Sequence, residues 1–169
     1  MSPGMSTSLD DLYRSDYYAW SRRQAAELRR LRDARVNTCL DLDNLAEEIE
    51  SLGRSDLRRV KSQLRRIIEH FLKLQFSPAA ELRQGWRETV LDARQDIDDY
   101  LTPSMWPEIE ADLERDYAKA RAKTVLALEH HGEGEAAAEL PIASPYALAE
   151  LLDPEWWPPV AADHSAREP

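Results

Sequence analysis

Residues 55–78 read SDLRRVKSQLRRIIEHFLKLQFSP, and this stretch decides the fold. Its apolar residues recur every three or four positions, which is the period of an α-helix with one buried face. Arginines occupy the opposite face. Ser55 is predicted as the N-cap, and Ser77-Pro78 ends the pattern because the residue before a proline is disfavoured in helical conformation. The predicted buried face consists of Leu57, Val60, Leu64, Ile67, Ile68, Phe71, Leu72 and Gln75.

Two further helices are predicted on the N-terminal side of this stretch. The first runs from about Asp10 to Arg35, and residues 36–39 follow as a loop. The second is short, with Asp41 or Asp43 as its N-cap and Gly53 as the glycine that ends it in left-handed conformation. The apolar positions of the two helices are Tyr13, Tyr17, Trp20, Leu28 and Leu31 in the first and Leu42, Leu45, Ile49 and Leu52 in the second.

Two long helices are predicted on the C-terminal side. One runs from about Glu81 to Leu101, where Thr102-Pro103-Ser104 breaks the chain. The other carries Pro107 in its first turn, where the missing N–H is tolerated, and reaches the flexible connection at Gly132 and Gly134. Their predicted buried residues are Trp86, Val90, Ala93, Ile97 and Tyr100 in the former and Ile109, Leu113, Tyr117, Ala120, Thr124 and Leu128 in the latter.

The chain as a whole is predicted to be all-α. Ser144-Pro145 is typical of an N-cap followed by the first helical residue, and it predicts a short C-terminal helix. We therefore expect an up-and-down helical bundle of four to five main helices plus this short helix. The expected organisation is a disordered leader at 1–9, a single domain at 10–159 and a disordered tail at 160–169.

The charge is strongly negative but unevenly distributed. The 169 residues carry a net charge of −10, with a balance of +2 over residues 1–85 and −12 over residues 86–169. An acidic protein is a poor non-specific ligand for nucleic acid or anionic lipid, since both require a cationic surface. The arginine-rich first half can still form a local basic face, or it can pair with the acidic second half.

The only cysteine is Cys39, so the sequence excludes an intramolecular disulfide and a zinc site built from thiolates. A free cysteine is most often a small buried apolar residue. Neither a secretory signal nor an apolar run long enough to span a bilayer is visible, so we expect a cytoplasmic protein that is not inserted in a membrane.

Four segments resemble the bacterial family known as domain of unknown function 29. They are YRSDYYAWSRRQAAEL at 13–28, LDLDNLAEEIESLGRSDLRRVKSQLRRIIEHFLKLQFSP at 40–78, GWRETVLDARQDIDDYL at 85–101 and PYALAELLDPEWWP at 145–158. The resemblance implies a helical, intracellular protein. It implies no activity, because the family has none assigned.

His70 and Arg66 are the catalytic candidates. Helical spacing places His70 at the edge of the buried face, with Arg66 one turn earlier on the same side, where its charge would lower the pKa of the imidazole. The string Arg65 to His70 also resembles the arginine, four residues, histidine motif of the helical HEPN ribonucleases and nucleotide-binding bundles. Residues five apart diverge by about 140° on a straight helix, however, so Arg65 and His70 are not expected to converge. A histidine that only packs at the edge of the core is the favoured interpretation.

No metal or cofactor site is predicted. Asp92, Asp96 and Asp99 share one face of their helix, but that face is opposite the apolar one and is interpreted as a solvated stripe. Trp156-Trp157, flanked by prolines, either packs the C-terminal segment onto the bundle or offers an anchor to a partner; packing is the favoured interpretation.

Two hypotheses about function follow. The first, which we prefer, is a protein-interaction or regulatory module without a catalytic site, which engages a partner or a second copy through charge complementarity or the tryptophan pair. The second is a metal-free ribonuclease or nucleotide-binding bundle in which His70 and Arg66 line a dimer cleft. No cofactor is implied, and the acidic composition makes nucleic acid the less favoured partner.

Overall fold

The computed structural model describes residues 8–160, and every regular element within them is helical, which confirms the all-α helical bundle class. Short 3₁₀ turns at Ala80–Leu82 and Pro103–Met105 precede two of the long helices. The α-helices are α1 (Leu9–Ser15), α2 (Tyr17–Asp33), α3 (Leu42–Phe76), α4 (Arg83–Tyr100), α5 (Trp106–His130), α6 (Gly134–Glu139) and α7 (Leu148–Leu152).

The helices pack into two compact units. Among the described residues, one comprises 8–60 together with Tyr100–Ile109, and the other comprises Lys61–Asp99 and 110–160, so α3 and α5 contribute to both. The single domain predicted over 10–159 stays a prediction. The predicted leader and tail fall mostly on residues 1–7 and 161–169, which lie outside the described residues, whereas Ser8 already caps α1 by accepting a hydrogen bond from the Asp11 N–H.

In the first unit, the helix predicted from Asp10 to Arg35 is interrupted. Asp16 separates α1 from α2, and its carboxylate accepts hydrogen bonds from the Ala19 N–H (2.9 Å) and the Ser104 N–H (2.8 Å). A side chain that satisfies backbone donors at a helix start competes with a continuous helix. These hydrogen bonds hold the pKa of Asp16 below its usual value, although burial opposes them as the largest single influence.

The apolar face predicted for the helix from Asp10 to Arg35 is also wrong. Tyr13, in α1, is 51% exposed and forms a partly exposed aromatic cluster with Tyr17 and Trp20 of α2. The residues of α2 that are buried are Tyr18, Ser21 and Ala25, of which two are small.

Gly53 does not end a helix, because α3 continues through it from Leu42 to Phe76. A Cβ built on Gly53 would lie 2.1 Å from the Ser21 Oγ, so glycine permits the backbone of α3 to approach α2 closely. Ser55 is consequently an exposed mid-helix residue and not an N-cap, whereas Asp41 caps α3 as predicted through the Asn44 N–H. The buried face of this part of α3 differs from the predicted one. Leu42, Ala46 and Gly53 are buried, while Leu45 and Leu52, predicted to be buried, are exposed.

The apolar face predicted from residues 55–78 is confirmed, with its seven apolar members buried. In the second unit, α4 buries Val90, Ala93 and Ile97, all predicted. From α5, Tyr117 is fully buried and its hydroxyl donates to the Pro141 carbonyl at 2.6 Å.

The C-terminal connections differ from the prediction. Gly132, with φ +78°, follows the end of α5 as expected, but Gly134 starts the short helix α6 instead of a flexible connection. Ser144 is not an N-cap: its Oγ accepts from the Tyr146 N–H in a local turn, and α7 begins after Ala147. A serine before a proline serves an N-cap or such a turn equally well, which is why the sequence misled.

Candidate functional site

A groove of about 590 Å³ lies on the second unit, and we call it the basic groove. Five of its lining side chains are lysine or arginine and one is a carboxylate, on a chain whose net charge is −10. The groove is lined by Ser62, Gln63, Arg65, Arg66, Glu69, His70 and Lys73 from α3 and by Lys119 and Lys123 from α5.

Three ion pairs join α3 to α5 beside the groove. Arg65 donates to the Asp116 carboxylate at 2.8 Å, Lys123 lies 2.8 Å from Glu69, and Lys61 donates to Asp112. Their members on α3 are spaced four residues apart, so they repeat once per turn and face α5. The Asp116 side chain is only 2% exposed, so Arg65 neutralises a carboxylate that has almost no access to water. These pairs set the register of the two helices.

Arg66 and Lys73 differ from the cations in those pairs. Neither side chain makes a hydrogen bond or an ion pair with any other residue between 8 and 160. Arg66 is exposed and Lys73 is half-buried. Lys119 is exposed and likewise makes no side-chain hydrogen bond or ion pair with the described residues, so the groove presents three positive side chains without such a partner there.

His70 lies half-buried in the groove wall, at the edge of the core where the sequence placed it. Burial, followed by the positive charges of Lys73, Arg66 and Lys123 in that order, lowers its pKa to about 4. The predicted effect of Arg66 is thus present, but burial is the larger cause. The Nδ1 atom is buried and has no hydrogen-bond partner among the described residues. At pH 7 the imidazole is neutral.

Arg65 and His70, expected to diverge, both border the groove because it extends around α3 toward α5. The Arg65 guanidinium is bound to Asp116, so its charge is already neutralised and is not available to a ligand. Arg66, which has no such partner, is the arginine that the groove offers beside His70.

The acidic face of α4 carries the three aspartates that the sequence singled out. Asp92 and Asp99 are exposed, as predicted, while Asp96 is half-buried and accepts a hydrogen bond from the Gln63 amide at 2.8 Å. Within residues 8–160, no group of three or more histidine, cysteine, aspartate or glutamate side chains is arranged to hold a metal ion.

The sequence model of the family described as "Domain of unknown function DUF29" matches residues 12–157 of this chain. The chain belongs to the DUF29 family. It is also similar to the crystal structure of an α-helical protein of unknown function from Rhodospirillum rubrum ATCC 11170, with a TM-score of 0.76 and 30% identity over 85% of this chain and 90% of that one. A comparison with curated proteins found no match. Of the helices described for this DUF29 chain, none combines the length and the apolarity needed to cross a bilayer.

The second partner-binding candidate of the DUF29 chain, Trp156-Trp157, is half-buried. The two rings lie 5.5 Å and 6.0 Å from the ring of Phe71, and Trp156 also contacts Tyr146. These contacts are the arrangement expected of a C-terminal segment that packs on its own helices. A role as an anchor for a partner stays a prediction.

Arg94 holds this segment and was missed by the sequence analysis. It is only 6% exposed, and its guanidinium lies over the Trp157 ring at 5.2 Å. The guanidinium suits such a site, because its rigid, planar set of N–H donors can bond several backbone carbonyls in place of water. The only signal in the sequence is its place beside Ala93 on the apolar face of α4. Arg94 donates hydrogen bonds of 2.9–3.3 Å to the carbonyls of Glu150, Leu151, Pro154 and Trp156.

Cys39, expected to be buried, is exposed in the loop between α2 and α3. The expectation was wrong because this loop packs little of its surface: every residue from Arg32 to Asp41 is exposed.

Proposed function

We propose that this DUF29 protein is an intracellular, cytoplasmic protein-interaction module that binds an acidic segment of a partner protein in the basic groove. The observation that carries the proposal is the excess of cations there, three of them without a hydrogen bond or ion pair in the described chain, on a protein that is otherwise strongly acidic. Exposed charges of one sign in a concave site attract opposite charge, raise the association rate and select partners by complementarity.

The residues of the groove suit carboxylates that are spread along a polypeptide. All of them lie inside α3 or α5, so their backbone N–H groups are engaged within the helices and only side chains are offered. Compact phosphate sites, by contrast, use backbone N–H groups at helix starts or in glycine-rich turns. Of the described lining residues, none carries an aromatic ring other than the His70 imidazole, whereas single-stranded nucleic acid is usually bound by stacked aromatic rings.

The second candidate function is a metal-free ribonuclease or nucleotide-binding site that uses His70 and Arg66. The observation in its favour is that both side chains line one cationic groove. Against it, a histidine with a pKa of about 4 is almost fully deprotonated at pH 7, so it can accept a proton weakly but cannot supply one. The binding function is therefore preferred.

Fluorescence anisotropy with two labelled probes tests the proposal. One probe is a 20-residue oligoglutamate peptide and the other is a single-stranded RNA of equal length. We expect the peptide to bind wild type with an affinity that falls with added salt, and R66E/K73E to weaken binding at least about tenfold. The matched control is R23E/R58E, which makes the same change in net charge at two exposed arginines without partners in the described chain, outside the groove. The control should bind the peptide within about twofold of wild type.

Other outcomes discriminate between the two candidates. Peptide binding that is absent, or equally weakened in R23E/R58E, would reject the groove as the site. RNA cleavage by wild type that is lost in H70A, at an unchanged melting temperature, would establish the ribonuclease instead. A lower melting temperature for H70A, with no cleavage by either protein, assigns His70 a structural role.

A further inference from the structure

The acidic face of α4 matches the basic groove in the spacing of its charges. Arg66 and Lys73 are seven residues apart on α3, and Asp92 and Asp99 are seven residues apart on α4, a rise of about 10 Å in each case. Lys119 and Lys123 are four residues apart on α5, as Glu88 and Asp92 are on α4, a rise of about 6 Å. We call Glu88, Asp92 and Asp99 the acidic row.

The three side chains of the acidic row are exposed and lie along one side of α4. Its three members fall within about 40° of one another around α4, so they form a single line of negative charge. Asp92 and Asp99 have no hydrogen-bond or ion-pair partner among the residues that the structure describes, and Glu88 accepts only the Gln84 amide, at 2.9 Å. From Glu88 to Asp99 the row extends about 16 Å, the same length as the groove wall from Ser62 to Lys73.

We infer that the acidic row of one copy of this chain binds in the basic groove of a second copy, so that the protein forms a two-fold dimer. The inference rests on the proposed function and names the partner. Charge complementarity at matched spacing carries it, since Arg66 and Lys73, two of the groove cations that make no ion pair, have the same separation as Asp92 and Asp99, whose side chains make none either.

A closed dimer is the natural form of this contact. The groove and the row lie on neighbouring elements of the second unit, because Gln63 of the groove wall donates to Asp96 of α4. If the groove of each copy receives the row of the other, a two-fold axis relates two identical contacts and the assembly closes. Two contacts of this kind bury twice the area of one, and a stable interface needs to bury at least about 1,000 Å² in total.

Sedimentation equilibrium tests the inference with charge reversals on both surfaces. Wild type is expected to be a dimer whose dissociation constant rises with salt concentration. R66E/K73E makes the groove negative and D92K/D99K makes the row positive. Each variant alone should dissociate roughly 100-fold more readily, because like charges then meet at both contacts. Far-ultraviolet circular dichroism and melting curves establish that both variants are folded, and R23E/R58E serves again as the control, expected to remain dimeric.

The decisive sample is an equimolar mixture of the two variants. In the mixed dimer, the negative groove of R66E/K73E meets the positive row of D92K/D99K, and the positive groove of D92K/D99K meets the negative row of R66E/K73E. We therefore expect the mixture to dimerise although neither component does, and the fourfold variant to dimerise by itself. A mixture that stays monomeric, or a wild-type dimer that neither double variant weakens, would overturn the inference. A wild type that is monomeric up to several hundred micromolar but binds oligoglutamate through the groove would also overturn it and leave the proposed function standing.

Discussion

Replacing Gly53 with alanine is expected to destabilise the protein, although alanine is the better helix former. In an open helix the substitution would add about 1 kcal/mol of stability. Here the new Cβ would lie 2.1 Å from the Ser21 Oγ and 3.2 Å from both the Ser21 Cβ and the Tyr18 Cδ2. Ser21 would have to rotate and lose its hydrogen bond to the Tyr18 carbonyl (2.9 Å), and the helices would have to move apart by a few tenths of an ångström.

The expected magnitude follows from these opposing effects. Overpacking of a close contact costs about 1–3 kcal/mol, and loss of a buried hydrogen bond adds about 1 kcal/mol. After the gain in helix propensity is subtracted, G53A should lose roughly 1–3 kcal/mol. In a chain of this length that corresponds to a fall of about 3–9 °C in melting temperature.

Two companion variants identify the cause. Ser21→Ala removes the atom nearest to the new methyl group, so most of the loss caused by Gly53→Ala should disappear in the S21A background, a coupling of about 1 kcal/mol. Gly85 is the matched control, since it is an exposed glycine of α4 at which an added Cβ would meet nothing within 4 Å, and G85A should gain about 0.5–1 kcal/mol. Urea titrations of all four variants, with an unchanged dependence on urea concentration, measure the effect.

The result that would refute this reasoning is specific. A glycine that ended a helix in left-handed conformation would also be destabilised by alanine, but Ser21→Ala would not relieve that loss. Equal losses for Gly53→Ala in the wild-type and S21A backgrounds would therefore restore the helix end that the sequence suggested, and a gain like that of G85A would exclude the close approach of α2 and α3.

Three further predictions concern charged groups of the second unit. The variant R65M leaves Asp116 buried without its cation and should lower the free energy of unfolding by about 3–5 kcal/mol. D116N should lower it less, because Arg65 is 30% exposed and can be hydrated. Equal losses for the two variants in urea titrations would contradict this. The pKa of His70 is about 4, below the value of about 6.5 expected in the unfolded chain, so its neutral form stabilises the fold fully above pH 6.5 and that contribution is lost as the pH falls toward 4. H70Q should therefore lose less stability than wild type between pH 7 and pH 4.5, by at most about 3 kcal/mol. A resonance assigned to His70, by its absence from H70Q, that titrates near 6.5 would refute the shift. Arg94→Lys should leave several carbonyls of the C-terminal segment without donors and speed amide exchange at 148–157, while exchange in α2 stays unchanged; uniform acceleration would indicate global loss of stability instead.

The second half of α3 was predictable because one physical requirement dominates it. A helix that buries a whole face must repeat apolar residues every three or four positions, and residues 57–72 do so without exception. The same pattern located α4 and α5 and the proline in the first turn of α5. No distant contact was needed to recognise these elements.

The start of α3 and the break at Asp16 were not predictable, because both depend on residues far away in the sequence. At Gly53 the Ser21 side chain of α2 comes close to α3, and at Asp16 the carboxylate accepts two further hydrogen bonds from Ser104. A glycine that permits close packing and a glycine that ends a helix look identical in a sequence. The apolar pattern misled at Leu45 and Leu52 for the same reason, since the small residues Ala46 and Gly53 occupy the contact.

The groove could be predicted only in part. Helical spacing placed Arg66 and His70 on one side of α3, which is correct, but it could not say which arginine of the adjacent pair Arg65-Arg66 would be neutralised. That depends on the register of α3 against α5, which brings Asp116 to Arg65 and leaves Arg66 one position, or about 100°, further around the helix. We therefore expect Arg65 to contribute to stability and, under the proposed function, Arg66 to contribute to partner binding. Two variants test this division. R65M should lower the melting temperature, whereas R66M should leave it unchanged and weaken the binding of an acidic partner in the groove.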